Sequence, residues 1–153
     1  MGKVVAVLDT MWREVGEAPR WFSINPYNLT GKRLYTWLDG RGELLVTNAC
    51  PQQVGRATHH GKPDKQWLSD NLRALWPFTL LLVCGKVAQA TYSLSDTLRG
   101  TVRARVVEVP HPAARTWTCA ALDLAGQHIR EGKLDIRMEL VKGRLRVTKL
   151  PPF

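Results

Sequence analysis

The chain has 153 residues, 44% apolar and 23% charged, which is enough for one buried core and too apolar for a disordered polymer. Lysine plus arginine total 22 against 13 aspartates and glutamates, a formal charge of +9 that calls for an acidic partner. No apolar run approaches the roughly 20 residues of a membrane span, no secretory leader or myristoylation signal is legible, and three widely spaced cysteines suit neither a disulfide framework nor a metal cluster, so we expect a soluble, intracellular monomer without membrane partner or cofactor.

Residues 4–8 are β-branched and apolar and predict a strand. Residues 20–24 predict a second, stopped by Asn25-Pro26 because proline holds the preceding residue out of the helical region. Residues 30–38 predict a helix ended by Asp39-Gly40, and residues 43–47 a buried strand running into Asn48. Residues 51–64 are polar and without period, a loop of functional length. From Lys65, the residues Trp67, Leu68, Leu72, Leu75 and Trp76 recur at helical spacing until Pro77 ends the pattern. Residues 79–84 are apolar without alternation, which predicts a strand covered on both faces in mid-sheet. Residues 87–92 predict a short helix, 102–109 a strand broken by Pro110-His111-Pro112, and 118–130 a helix with Gly132 at the stop position. In the tail, Leu134, Ile136, Met138 and Leu140 alternate with charged residues, and Leu145 and Val147 do so again beyond Lys142-Gly143, which predicts a β-hairpin with a solvated charged face. The expected fold class is α/β, a three-layer α/β/α sandwich with a mostly parallel central sheet, in one domain over 1–153 with residues 133–150 as an appended β-hairpin.

Three predicted strand ends carry polar residues: Asn25-Pro26-Tyr27-Asn28, Thr47-Asn48-Ala49-Cys50-Pro51, and Pro110-His111-Pro112-Ala113-Ala114-Arg115. Ligands of open α/β sheets bind beyond the carboxyl ends of the strands, so these clusters are expected to converge on one crevice. Each also has an ordinary structural reading: Asn25 and Asn48 as turn or cap residues, His111 as a buried imidazole on a backbone carbonyl, Arg115 as a surface cation. As a ligand, the Asn48 amide offers one acceptor and two donors, the pattern that reads a pyrimidine edge carrying O4 and N3–H. His111, held between prolines, is suited to donate a hydrogen bond to developing negative charge. His59-His60 lacks a nearby cysteine or carboxylate cluster and reads as a phosphate-binding or gating loop rather than a metal site, and Gly85-Lys86 lacks the spaced glycine of a P-loop.

In order, the segments 23–38, 43–56, 78–92, 98–100 and 106–116 resemble the uracil-DNA glycosylase superfamily over residues 21 to about 130. Ser23-Ile24-Asn25-Pro26-Tyr27 is similar to the Gly-Ile-Asn-Pro-Gly motif of the mismatch-specific branch with both glycines replaced; Thr47-Asn48, Gly85-Lys86 and His111-Pro112-Ala113 are similar to the thermostable bacterial and archaeal branches. The resemblance implies that Asn25 positions water or polarises the glycosidic bond, that Asn48 recognises the base and Tyr27 stacks near it, and that His111 stabilises the departing base anion at O2. It implies Lys86 and Arg115 on a DNA partner, single- or double-stranded, with Ala113, Ala114 and Arg115 as a wedge. The iron–sulfur branches need four cysteines, so no cluster is expected here, and the absence of any acid between Glu17 and Asp39 implies slow catalysis or none. The expected function is hydrolysis of the N-glycosidic bond of a flipped pyrimidine, uracil or a modified uracil or thymine. Two other functions fit the same motifs: a base-modifying transferase on that fold, and an inert DNA-binding module.

Overall fold

The computed structural model describes residues 2–12, 20–54, 61–93 and 106–151. Its strands are β1 (Lys3–Leu8), β2 (Met11–Trp12), β3 (Glu43–Asn48), β4 (Gln53–Val54), β5 (Leu80–Cys84), β6 (Val106–Val109), β7 (Ile136–Val141) and β8 (Arg144–Lys149). Its helices are α1 (Leu29–Leu38), α2 (Lys65–Leu75), α3 (Lys86–Ser93) and α4 (Cys119–Arg130). Six strands form one sheet in the order β3-β1-β5-β6-β7-β8, all parallel except the antiparallel β8, while β2 and β4 pair apart from it.

The unalternating apolar strands are those with helices on both faces. Val4, Val5, Ala6 and Val7 of β1, and Leu81, Leu82, Val83 and Cys84 of β5, have no exposed surface. Val4, Ala6, Leu82 and Val107 pack with Leu34, Trp37 and Leu38 of α1 and with Ala121, Ala125 and Ile129 of α4. Val5, Val7, Leu81, Val83 and Val106 pack with Leu68, Leu72 and Leu75 of α2 and with Ala88 and Tyr92 of α3. Two helices therefore cover each face. Asn28, Asp64 and Thr118 cap the N-termini of α1, α2 and α4 by accepting from backbone amides of the first turn.

Crossover geometry makes the last parallel strand unusual. The β1–α1–β3 and β6–α4–β7 units use the same helical layer but step across the sheet in opposite directions, so they have opposite hands. The units through α2 and α3 share the hand of the first, which leaves β6–α4–β7 as the exception to a rule that holds in about 98% of such units. β7 pairs with β6 at only two positions, Val107 with Ile136 and Glu108 with Arg137, and is held besides by six pairs with β8 and by its buried Met138. The hairpin is thus the continuation of the main sheet. Its turn, Lys142-Gly143, has φ of 51° and 77°, the two positive values that a two-residue type I′ turn requires.

Residues 20–24 depart from the expected strand: their sheet contact is the antiparallel bridge of Phe22 with Val46. β1 occupies the other edge of β3, so this segment lies outside the parallel sheet, with Phe22 and Ile24 turned to the core and Trp21, Ser23 and Asn25 exposed. The predicted strand over 102–109 is described from Val106 onward, and 102–105 lie outside the described residues, as do His59-His60. The expected loop over 51–64 contains β4.

Candidate functional site

Strand order fixes where the site forms. From β1 the chain steps to β3 on one side and then across to β5 on the other, so the order reverses between β1 and β5, the position at which open α/β sheets take their ligands beyond the carboxyl ends. Register aligns those ends: Leu8 is opposite Asn48, Val7 opposite Val83, and Cys84 opposite Val109. β3 and β6 are three strand intervals apart, about 14 Å. Asn48, Asp9-Thr10, Gly85-Lys86 and Pro110-His111 therefore line up along one end of the sheet, roughly the span of a nucleobase with a side chain reaching in from either side.

Asn48 is the most informative of these residues. It alternates with Leu44 and Val46 and so faces the α1/α4 layer, is 1% exposed, and among the described residues has no hydrogen-bond partner for either its Nδ2 or its Oδ1. A buried amide left wholly unpaired costs about 1–3 kcal/mol per group, and one that ligand groups complete explains itself. As a turn or cap residue Asn48 would spend its amide on neighbouring backbone, which it does not.

His111 is built the opposite way, with its carbonyl and its Nδ1 already bonded. The loop carbonyls of His111 and Pro112 accept from Trp117 Nε1 at 2.9 Å and Arg33 Nη1 at 2.6 Å. The Ala113 amide donates to His111 Nδ1 at 3.0 Å, so the proton of the neutral ring sits on Nε2 and Nε2–H is the remaining donor. Burial pushes the imidazole below its ordinary pKa, with Asp9 opposing the shift, so the ring is neutral at physiological pH. Gly85, at φ of 88°, closes the other side: a Cβ there would stand 3.2 Å from the His111 Cβ.

Asp9, the first residue after β1, is a strand-end residue that sequence reasoning missed. It is half-buried, accepts from Thr10 Oγ1 at 2.8 Å and from the buried Cys50 thiol at 3.6 Å, and is close enough to His111 to influence its titration. Burial raises the Cys50 pKa, so this thiol is a donor and not a thiolate nucleophile. The available signal was an isolated acid directly after an unbroken β-branched run, overshadowed by the motif-like Asn25-Pro26.

Asn25 is not gathered with the others. It is exposed, and its Oδ1 accepts from the Tyr27 amide at 2.9 Å, an Asx turn that leads into the α1 cap. Among the described residues no hydrogen bond, ion pair or electrostatic interaction joins it to Asn48 or His111. Tyr27 is 91% exposed, so it roofs no closed cavity. Lys86, the first residue of α3, and Arg115, in the loop after His111, are exposed at the same end of the sheet. Among the described residues no cluster of three or more His, Cys, Asp or Glu stands ready for a metal ion, and Cys50, Cys84 and Cys119 are free thiols. No family model, no curated protein and no solved structure matches this chain.

Proposed function

We propose that the chain binds an extrahelical pyrimidine of DNA at the carboxyl end of its sheet and hydrolyses the N-glycosidic bond, as its motif resemblance implies. The observation that carries the reading is the buried Asn48 amide, without a hydrogen-bond partner among the described residues, aligned across the strand ends with a neutral His111 whose Nδ1 is engaged and whose ring proton is on Nε2. In this reading Asn48 accepts from N3–H and donates to O4 of a uracil-like base. His111 donates to O2, where negative charge grows as the N1–C1′ bond breaks, so its bond is stronger in the transition state than in the ground state. Water supplies the oxygen that bonds to C1′, and its released proton neutralises the base anion. The Asp9 carboxylate provides the negative charge that favours the cationic sugar, the task that the resemblance gave to Asn25. Lys86 and Arg115 hold phosphates, which offsets the few kcal/mol of unstacking.

Incubation with single- and double-stranded oligonucleotides containing uracil, then alkali, is expected to yield cleavage at the abasic site. His111→Ala and Asn48→Ala are each expected to lower the rate about 100-fold or more, the scale of one transition-state donor, whereas Asn25→Ala keeps it within a few-fold. A product of increased mass with the glycosidic bond intact replaces hydrolysis with group transfer. Salt-sensitive binding without any base product leaves a DNA-binding module.

A further inference from the structure

We infer that residues 20–36 form an aromatic and basic track for single-stranded DNA running away from the crevice. The choice of DNA rests on the function proposed above; the track itself rests on separate observations. Of the seven large apolar side chains exposed among the described residues, four, Trp21 at 38%, Tyr27 at 91%, Leu29 at 51% and Tyr35 at 36%, fall in this one stretch, while Trp76, Leu124 and Val141 are scattered over the rest. Folding brings them together: Tyr35 donates its hydroxyl to the Ile24 carbonyl at 3.3 Å, and Trp21 and Tyr27 each lie three residues from Ile24, at most about 10 Å along the chain.

The platform under Tyr27 is fixed. Asn25 Oδ1 holds the Tyr27 amide, Asn28 Oδ1 holds the Gly31 amide at 2.7 Å, and Gly31 lets α1 pack directly on the Asn25 carbonyl. A tyrosine on a backbone held in this way and left 91% exposed offers its π face to an incoming base. The stretch carries Arg20, Lys32 and Arg33 and no acid, while the described ion pairs, Arg73–Asp70, Lys133–Glu131, Arg137–Glu108 and Arg146–Glu139, all lie elsewhere. Cations without acidic partners among the described residues, beside exposed aromatic rings, match a flexible polyanion with bases free to stack, and duplex bases are already stacked on one another. Arg33 also reaches the Pro112 carbonyl, so the track begins beside the His111 loop.

The test is equilibrium binding of a labelled strand of about 15 dA and dC nucleotides, which contains no thymine or uracil for Asn48 to read. Tyr27→Ala is expected to weaken this binding roughly 5- to 150-fold, the range of one lost base–aromatic stack, with Tyr27→Phe close to the parent and the melting temperature unchanged. Lys32→Gln is expected to lower the slope of log affinity against log salt by about 0.7, and binding of the corresponding duplex is expected to change far less with Tyr27→Ala. A Tyr27→Ala protein that binds the strand like the parent, or that loses strand and duplex equally, overturns the track. Retained Tyr27-dependent binding in a protein without glycosylase activity overturns the proposed function and leaves the track standing.

Discussion

At the scale of single residues, two side chains at the strand ends are set up in ways that cost stability. The Asn48 amide is buried and pairs with nothing among the described residues, so an apolar side chain of intermediate volume should fold better there. Asn48→Val is expected to stabilise the protein by about 1 kcal/mol, seen as a rise of roughly 2–4 °C in Tm, while abolishing base recognition. A fall in Tm would mean that the amide has partners in solution and is a structural residue. His111 makes a second prediction. Its folded-state pKa lies below that of the unfolded chain, so in the window between them the unfolded state binds the extra proton. The stabilising term is complete above about pH 6.5 and is lost as pH falls through that value toward the folded pKa. Urea midpoints at pH 7.5 and 5.5 should therefore fall further apart in the parent than in His111→Gln. His128, lowered for the same reason of burial, supplies the part of the slope that His111→Gln leaves behind.

At the scale of elements, what was legible was whatever wrote its neighbours into a period. β1, β3, β5 and the four helices follow from runs such as Val4–Leu8 and from the spacing of Leu68, Leu72 and Leu75, and the hairpin turn from Lys142-Gly143. Residues 20–24 look like a strand because Phe22 and Ile24 point inward, yet that pattern needs only one bridge to an outer edge, and Pro26 stops the pairing. The place of the hairpin was not legible at all. Nothing local in Ile136–Val141 encodes that it pairs with β6 through a crossover of the rarer hand; that depends on α4 being held against α1, where Trp37 and Trp117 meet edge to face at 5.3 Å. For the same reason Asn48 and His111 were legible as strand-end residues, whereas Asp9, which follows β1 directly, was passed over in favour of the motif-like Asn25. Caps test the local part of this account. Asp64 satisfies the amides of Gln66 and Trp67, and Asp64→Ala should cost about 1 kcal/mol, read from denaturant midpoints with an unchanged m-value. The backbone amide of residue 64, which donates to the Ala49 carbonyl, survives this substitution, so a loss well above 1 kcal/mol would mean that the carboxylate does more than cap α2.

At the scale of the molecule, charge and topology point the same way. The sheet aims its carboxyl ends at one edge, where Lys86 and Arg115 stand exposed, and the described acidic pairs sit along α2, after α4 and in the hairpin. A net charge of +9 spread evenly would attract any polyanion to any face, and its removal at one place would be as harmful as at another. Where DNA sits on the strand ends, as proposed, the cations at that edge should instead behave as a countable set of phosphate contacts. Each neutralisation at that edge, Lys86→Gln or Arg115→Gln, is therefore expected to lower the slope of log affinity against log salt by about 0.9 on duplex DNA, and the double variant by about twice that. Neutralising Lys149, an exposed cation that pairs with Ile136 at the amino end of β7, should leave the slope unchanged. Titrating all four variants against one duplex at several salt concentrations separates the two cases: equal slopes for the Lys149 and Lys86 variants would mean that DNA is attracted by total charge alone and that the strand-end edge is not its binding face.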